Sequence, residues 1–309
     1  MKDALELLRA LADAVRLRIV RAVSHAELSV AELVTVLGAP QSTVSRHLKP
    51  LRDSGLVETR RDGTSIYYRR GPAFRDTTLA QFIDAQVEHL EKAAEDAASV
   101  RRVLDLRKRK SREFFDRIAG SYGSLTEPGG GWQALATGMA AGFAGRQVVD
   151  LGAGEGALTL ILAGYAASVT AVDASPQMLG LVKTAAQAAG LADRVQTVES
   201  DLESLALPDA CMDAAFLSQA LHHAASPARA IQEAGRILQA DGLLVVLDLV
   251  KHEQEWVREQ WADQWLGFDE EEVVGWMRAS GVEPLHVQRL AGSTPELAVL
   301  TVVGRKQSQ

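Results

Sequence analysis

The stretch Gln147-Val-Val-Asp-Leu-Gly-Ala-Gly-Glu-Gly156 decides the fold expected for the second half of the chain. Apolar residues lead into Asp150, after which Gly152, Gly154 and Gly156 occupy every second position. An apolar strand, a turn whose glycines let the backbone approach a ligand, and a helix starting behind it form the nucleotide-type binding turn of a doubly wound sheet. We therefore expect a small-molecule site at this turn.

Strand and helix patterns alternate along the rest of this half. The alternation predicts a mostly parallel sheet with helices on both faces, and ligands of such sheets bind beyond the carboxyl ends of the strands. The predicted strands are 147–151, 168–172, 195–199, 214–217, 243–249, 285–290 and 297–303.

Acidic residues stand at the ends of the first three predicted strands. Asp173 ends the second strand, where a carboxylate can accept both hydroxyls of a ribose, and Asp201 follows the third, where it can meet an adenine amino group. The charge of Asp150 suits a sulfonium or an ammonium better than a pyrophosphate. Three acids around one pocket disfavour a phosphate-rich ligand and favour a cationic one.

This half resembles the class I S-adenosylmethionine-dependent methyltransferases, and most of all the subgroup with the ubiquinone and menaquinone enzymes. The resemblance covers about residues 113–309 and rests on the segments 149–156, 171–179, 200–203, 218–223 and 233–243. Ala240-Asp-Gly242 departs from the usual Pro-Gly-Gly, a change that we expect to be structural. The resemblance implies S-adenosylmethionine as cofactor, held by Asp150, Gly152, Gly154, Gly156, Asp173, Ser175, Met178, Asp201, Leu202 and Gln219.

The methyl acceptor is expected to be a small molecule. His222 and His223 follow the fourth strand and are the catalytic candidates, as a base for the acceptor or as residues that only shape the loop. After the fifth strand, a segment rich in Trp and charge either caps an acceptor pocket or packs on the body of the domain. The substrate candidates in that segment are His252, Glu255, Arg258 and Trp261. Residues 112–116 and Tyr122 stand where the resembled enzymes place a lid.

The N-terminal residues 1–72 read as a DNA-binding module. Helical patterns precede a break at Gly38-Ala-Pro40, and a helix over 41–52 then leaves its polar residues outside. Residues 57–70 read as a basic hairpin that turns at Asp62-Gly63. Through 42–52 and 55–57 the module resembles the ArsR/SmtB family of bacterial repressors. Double-stranded DNA is the predicted partner, bound by Gln41, Ser42, Thr43, Ser45, Arg46, Lys49, Arg60 and Arg61.

An apolar stripe at helical spacing runs through residues 76–110. It predicts one long helix that needs a partner surface, and the matching helix of the resembled family forms a dimer. We therefore expect a homodimer through this helix. No metal site is expected, because Val30–Leu37 lacks the cysteine pair of the family's thiolate sensors. The single Cys211 likewise excludes arsenite methylation, which needs several thiolates.

Bulk properties fit this division of the chain. Of the net charge of −7, residues 1–72 carry +4 and residues 73–309 carry −11, which confines the expected DNA contact to the front of the chain. No apolar run is long enough for a membrane span, the first residues lack the apolar core of a signal peptide, and one cysteine excludes an internal disulfide. These features predict a cytoplasmic protein with no membrane partner.

The predicted α/β chain has three parts: a winged helix-turn-helix domain over residues 1–72, a helical dimerisation or linker segment over 73–112, and a Rossmann-like doubly wound methyltransferase domain over 113–309. The leading hypothesis is a methyltransferase for a small acceptor fused to a DNA-binding regulator. The alternative is a repressor whose methyltransferase fold senses S-adenosylmethionine or S-adenosylhomocysteine without turnover. A third hypothesis is an enzyme with a vestigial winged helix.

Overall fold

The computed structural model describes residues 4–75, 77–88, 90–119, 131–294 and 297–308. The chain forms two compact units, Met1–Arg107 and Lys108–Gln309, which we call the N-terminal and the C-terminal unit. The division falls inside the segment 73–112 that was predicted as a linker.

The N-terminal unit is a winged helix-turn-helix. Its first helices, α1 (Ala4–Leu11) and α2 (Ala14–His25), precede the short strand β1 (Leu28–Ser29), the helix α3 (Val30–Leu37) and the helix α4 (Gln41–Asp53). The wing is the hairpin of β2 (Val57–Asp62) and β3 (Ser65–Arg70), and β1 pairs with β3 in the order β1-β3-β2. Because Asp62 pairs with Ser65, the turn lies at Gly63-Thr64, one residue later than predicted.

Local sequence signals account for the two central helices. The Ser29 hydroxyl accepts the N–H of Glu32 at 3.3 Å while the Ser29 N–H donates to the Glu32 carboxylate at 2.8 Å, so α3 begins with a capping box. Gly38 ends α3 in the left-handed conformation, with φ of 60°. On α4 the apolar Val44, Leu48 and Leu51 are buried, which directs the polar face outward.

The single long helix predicted for residues 76–110 is wrong, because two helices occupy this region. They are α5 (Thr77–Glu88) and α6 (Ala93–Ile118). The apolar stripe is shared between them: Ile83 of α5 and Val100 of α6 are both buried in the core of the N-terminal unit. Apolar spacing reports which face is buried, and it does not report whether the backbone is continuous.

The C-terminal unit has a mainly parallel sheet with helices between its strands. Within the described residues, the sheet has seven strands in the order β6-β5-β4-β7-β8-β10-β9, and β10 runs antiparallel to both neighbours. The strands are β4 (Gln147–Leu151), β5 (Ser168–Asp173), β6 (Val195–Glu199), β7 (Met212–Ser218), β8 (Leu238–Leu249), β9 (Val282–Thr294) and β10 (Leu297–Lys306). The helices are α7 (Gly131–Ala140), α8 (Ala157–Ala163), α9 (Pro176–Ala188), α10 (Pro227–Ile237), α11 (Trp256–Gln260) and α12 (Glu270–Ala279).

The predicted doubly wound α/β fold is confirmed, and each of the seven predicted strands is present. Several strands are longer than predicted, and the largest shift of a single boundary is at β8, which begins at Leu238, so that Ala240-Asp-Gly242 belongs to a strand and not to a turn outside it. Asp241 absorbs the irregularity with φ of 65°, next to a register shift between β7 and β8. Among the helices described, none has both the length and the apolar character that crossing a bilayer requires.

Candidate functional site

An open cavity lies at the carboxyl ends of β4, β5 and β7, where the fold predicts a ligand. It lies entirely within the C-terminal unit. Most of the residues predicted for the cofactor line it, together with one of the two histidines: Asp150, Gly152, Gly154, Asp173, Ser175, Asp201, Leu202, Gln219 and His223.

All three glycines of the turn have a positive φ, a conformation that residues with a side chain rarely adopt. Gly152 has φ of 76°, and a Cβ built on it would lie 2.5 Å from the Cβ of Ala220. Gly154 has φ of 54° with open space before it, so its backbone faces the cavity directly. Gly156 is the N-cap of α8 and meets Val182 instead of the cavity. The turn therefore exposes backbone to a ligand at Gly152 and Gly154.

Asp173 is fixed by backbone donors on both sides. Its carboxylate accepts the N–H of Gly154 at 2.9 Å and the N–H of Ser175 at 2.8 Å. Burial raises the pKa of Asp173, while these hydrogen bonds oppose the shift. The Ser175 hydroxyl caps α9 by accepting the N–H of Met178 at 3.2 Å. Met178 itself is fully buried and does not line the cavity, in contrast to the expectation that it flanks the ligand.

Asp150 is a buried acid at the floor of the cavity. Its carboxylate accepts the Thr159 hydroxyl at 2.6 Å. Burial, with a smaller contribution from the charge of Asp173, raises the pKa of Asp150 to about 6. Its ionised form is therefore costly without a compensating positive charge, and a cationic ligand would supply that charge.

Helix α6 contributes a wall of the cavity, of which the sequence analysis had placed only residues 112–116 near the cofactor. Lys108, Ser111, Arg112 and Phe115 line it. The Lys108 ammonium lies 3.5 Å from a carboxylate oxygen of Asp201 and 3.3 Å from one of Glu203. Asp116 accepts the Ser175 hydroxyl at 2.5 Å. The segment expected to be a lid thus supplies wall residues, and Tyr122 lies outside the described residues.

The two histidine candidates have different surroundings. The His223 ring lines the cavity and lies edge-on to Phe115, with ring centroids 4.6 Å apart. The His222 ring lies behind it, with Nδ1 2.8 Å from Asp248 Oδ1 and Nε2 3.7 Å from Asp263 Oδ1. Burial opposes protonation of His222, but the charges of Asp248 and Asp263 raise its pKa to about 9. Burial, followed by the charge of His222, holds the pKa of His223 well below its usual range.

The four substrate candidates do not line this cavity. The Arg258 guanidinium donates to Glu255 at 3.0 Å, and His252 Nδ1 accepts the N–H of Gln254 at 3.1 Å. The Trp261 ring lies edge-on to Trp256, and both pack against the cluster of Leu249, Val257, Leu266 and Leu297. Of the two hypotheses for this segment, packing on the body of the unit accounts for these contacts, and contact with an acceptor stays a prediction.

The predicted DNA-binding face is exposed on α4, with one exception on the wing. Arg60 is buried, its guanidinium lies 2.9 Å from a Glu27 carboxylate oxygen and 3.5 Å from one of Asp62, and it is therefore not available to DNA. Thr43 is half-buried. The remaining candidates are exposed: Gln41, Ser42, Ser45, Arg46, Lys49 and Arg61.

Comparison with known proteins assigns a family to each part of the chain. Residues 13–59 match the family model described as "Bacterial regulatory protein, arsR family". Residues 149–246 match the model described as "Methyltransferase domain". The chain therefore joins an ArsR-family regulatory segment to a methyltransferase domain, as both resemblances implied.

Individual relatives repeat this division. The HTH-type transcriptional regulator KmtR of Mycobacterium tuberculosis is 48% identical over 64 residues, which cover 21% of this chain and 49% of that protein. The chloroplastic 2-methyl-6-phytyl-1,4-hydroquinone methyltransferase 1 of Oryza sativa is 31% identical over 149 residues, which cover 47% of this chain and 44% of that protein. The chain thus spans about half the length of these curated relatives.

A solved structure shares the fold of the C-terminal unit. It is 1,6-didemethyltoxoflavin-N1-methyltransferase of Burkholderia thailandensis, determined with 1,6-didemethyltoxoflavin and S-adenosylhomocysteine bound. The TM-score is 0.50 at 22% identity, over 65% of this chain and 88% of that chain. At this identity the similarity establishes the fold alone.

Proposed function

We propose that the protein is an S-adenosylmethionine-dependent methyltransferase for a small-molecule acceptor and that its N-terminal unit binds double-stranded DNA. The observation that carries the proposal is the conjunction of an open glycine turn with the acids Asp150, Asp173 and Asp201 around one cavity. That set is poorly suited to a phosphate-rich ligand and well suited to a nucleoside with a positive charge.

The residues present fit S-adenosylmethionine. When bound, this cofactor supplies an electrophilic methyl group on a sulfonium. Asp173, held by two backbone donors, has the free acceptor positions that a ribose diol needs. Asp150 offers negative charge to the cationic end of the ligand, and Asp201 and Leu202 lie where an adenine would be held. Gly152 and Gly154 leave room for the ligand against the backbone.

His223 and Phe115 form the proposed acceptor end of the cavity. An in-line displacement requires mainly that acceptor and methyl group be aligned, and a polar ring beside an aromatic one can do this for a small planar molecule. The contacts around His222 support a positioning role, since its ring is held by Asp248 and does not line the cavity. Direct contact with the acceptor is assigned to His223.

The proposed DNA contact uses the exposed polar face of α4 and the tip of the wing. Side chains that can bond base edges and phosphates stand there without a buried role, among them Gln41, Arg46, Lys49 and Arg61. Two-fold DNA sites are read by dimers, and we propose that the protein acts as a homodimer.

Calorimetric titration of the full-length protein with S-adenosylmethionine and S-adenosylhomocysteine tests the cofactor site. We expect both ligands to bind the wild type and to bind Asp173→Ala at least a hundredfold more weakly. The substitution removes the proposed acceptor for the ribose hydroxyls and also the carboxylate that accepts the N–H of Gly154. The exposed Asp193→Ala is the matched control and should bind as the wild type does. Equal affinities for Asp173→Ala and the wild type would contradict the proposed site.

Turnover then separates the enzyme from a sensor. With a panel of small phenolic, quinol and thiol acceptors, an enzyme forms S-adenosylhomocysteine in an acceptor-dependent way. A protein that binds both ligands and forms no product with any acceptor, but whose DNA affinity changes on ligand addition, would instead be a sensor.

A further inference from the structure

A cluster of buried ligating side chains lies directly behind the cavity wall. His222, His223 and Asp263 each present one donor atom, and these three atoms lie within 4.8 Å of one another. Asp263 Oδ1 is 3.7 Å from His222 Nε2 and 3.9 Å from His223 Nδ1. The side chains of Asp263, His222 and His223 are 0%, 5% and 10% exposed. We propose that this cluster is a binding site for one divalent transition-metal ion of the Zn²⁺ or Fe²⁺ class.

The spacing is close to what such an ion requires. Zn²⁺ binds imidazole nitrogen and carboxylate oxygen at about 2.0–2.2 Å, so neighbouring donors in a tetrahedral site stand roughly 3.3 Å apart. The separations from Asp263 to His222 and to His223, 3.7 and 3.9 Å, exceed that value by about half an ångström, and all three donor atoms lie within 4.8 Å of one another, so side-chain shifts would bring them to an ion. Two imidazoles and a carboxylate select first-row transition metals over Mg²⁺ or Ca²⁺, which take oxygen ligands.

The orientation of His222 matches that of a metal ligand. Metal-bound histidines usually donate their second ring N–H to a carboxylate, which fixes the tautomer. His222 Nδ1 stands 2.8 Å from Asp248 Oδ1, which directs Nε2 toward Asp263. Asp248 is fixed in turn by the N–H of Leu221 at 2.9 Å and that of Leu249 at 2.7 Å. The outer shell of a metal site is therefore already assembled.

The surroundings of His223 also indicate a ligand. Both of its ring nitrogens are buried, and among the residues that the structure describes neither makes a hydrogen bond of normal geometry, although the backbone of Ala262 interacts with the ring. A buried polar nitrogen without a well-formed hydrogen bond destabilises the fold, and coordination of an ion would remove that cost. The His223 ring also lines the cavity, so the proposed site adjoins the cavity on that side.

The backbone holds the two segments of the cluster together. The N–H groups of Gln264 and Trp265 both donate to the carbonyl of His222, at 3.0 and 3.1 Å. The Trp265 indole N–H donates to the carbonyl of Ala224 at 2.7 Å. Ala262, the residue before Asp263, has φ of 57°, a conformation that non-glycine residues rarely adopt. Strain of this kind persists where the surrounding structure imposes a geometry, and here it accompanies the inward carboxylate.

The charges also favour a cation. Asp248 and Asp263 are two buried carboxylates on opposite sides of the His222 ring. A divalent ion offsets their combined charge within a few ångströms, where the dielectric is low. Metal binding is a property of these residues alone and does not depend on methyl transfer.

Metal titration of the full-length, EDTA-treated protein tests the site. We expect one equivalent of Zn²⁺ to bind by calorimetry and one equivalent of Co²⁺ to give the visible bands of a four- or five-coordinate nitrogen and oxygen site. Asp263→Asn and His223→Gln, which keep the side-chain size, should weaken binding at least a hundredfold. Asp248→Asn should weaken it about 10–100-fold, as loss of an outer-shell partner does.

Controls separate this site from surface binding. His286→Ala removes an exposed histidine on β9 and should bind metal as the wild type does. Stoichiometric binding that survives in both Asp263→Asn and His223→Gln, or the absence of any stoichiometric binding to the wild type, would overturn the proposal. A Co²⁺–thiolate band that disappears in Cys211→Ser would overturn it as well. If the variants melt differently from the wild type in EDTA, the wild-type Co²⁺ spectrum alone decides, and a six-coordinate spectrum counts against the site.

Discussion

Asp150 shows what a single buried acid can determine in this protein. It lies on the floor of the cavity with its carboxylate bonded to Thr159, and burial raises its pKa to about 6. An aspartate in the unfolded chain has a pKa of about 3.9, so folding favours the protonated form of Asp150. The contribution of this preference to the free energy of unfolding is present at low pH and is lost as pH rises through about 6. The ionised form is the one that attracts a cation.

The affinity for S-adenosylmethionine should therefore rise with pH. Between pH 5 and pH 7 the ionised fraction of Asp150 increases roughly tenfold, and binding should strengthen by about the same factor before it levels off. Calorimetry from pH 5 to pH 8 measures this. In Asp150→Asn the rise should disappear, whereas Asp193→Asn should keep it. An unchanged pH profile in Asp150→Asn would remove Asp150 from the binding site.

At the level of residues, the sequence revealed those site members that follow directly from strand ends. Asp150, Asp173 and Asp201 line the cavity because parallel strands end at one edge of a sheet. It did not reveal Lys108 or Ser111, since no periodic pattern tells which face of α6 meets the cavity. Nor did it place Asp248 and Asp263 beside His222, because that proximity arises only from tertiary packing.

We expect α4 to contact the bases of DNA. Substituting two arginines of the N-terminal unit distinguishes an effect on DNA binding from an effect on stability. Arg46 is exposed on α4, so Arg46→Ala should weaken DNA binding and lower the salt dependence of the binding constant by about one charge if it contacts a phosphate. Arg60 is buried against Glu27 and Asp62, and Arg60→Ala should lower the free energy of unfolding by about 3 kcal/mol.

Fluorescence anisotropy at several salt concentrations, on duplexes selected by the wild type from a random pool, measures the first effect. Urea unfolding measures the second. Arg46→Ala should unfold like the wild type. If Arg60→Ala unfolds like the wild type but its DNA-binding constant depends less on salt, Arg60 contacts DNA and the structural assignment is wrong.

Helices and strands were predicted well where adjacent residues determine them. They were predicted less well where contacts between residues distant in the chain determine them. The capping box at Ser29 and the strand leading into Asp150 follow from a few adjacent residues. The division of 76–110 into α5 and α6 does not, because the apolar stripe is continuous across it. The burial of Arg60 likewise depends on Glu27, which is 33 residues away in the chain.

On the scale of the whole molecule, the distribution of apolar surface bears on the predicted homodimer. The buried members of the stripe, Ile83 and Val100, are covered by their own unit, so they cannot also form a dimer contact. Among the described residues of the N-terminal unit, the large apolar side chains that stay exposed are Leu5, Leu8, Ile66, Phe82 and Leu106. Exposed side chains of this size favour burial against a second surface.

Phe82→Glu should therefore shift the protein to monomer, since a buried carboxylate without a partner is costly at an interface. Light scattering coupled to size exclusion reads the mass, and DNA affinity should fall with it because a monomer reaches one half-site. Met139→Glu, which changes an exposed methionine of the C-terminal unit, is the control. A wild-type mass for Phe82→Glu would exclude this surface as the interface.

The order of the strands also sets the order in which the chain can fold as it is synthesised. In the C-terminal unit, β10 (Leu297–Lys306) is inserted between β8 and β9, so β8 lacks its neighbour on that side until residue 306 has left the ribosome. In the N-terminal unit every strand pair lies between residues 28 and 70. The winged helix can thus form before the methyltransferase sheet, which keeps an open edge on β8 until β10 has been synthesised, and during that interval the open edge can pair with other chains and aggregate.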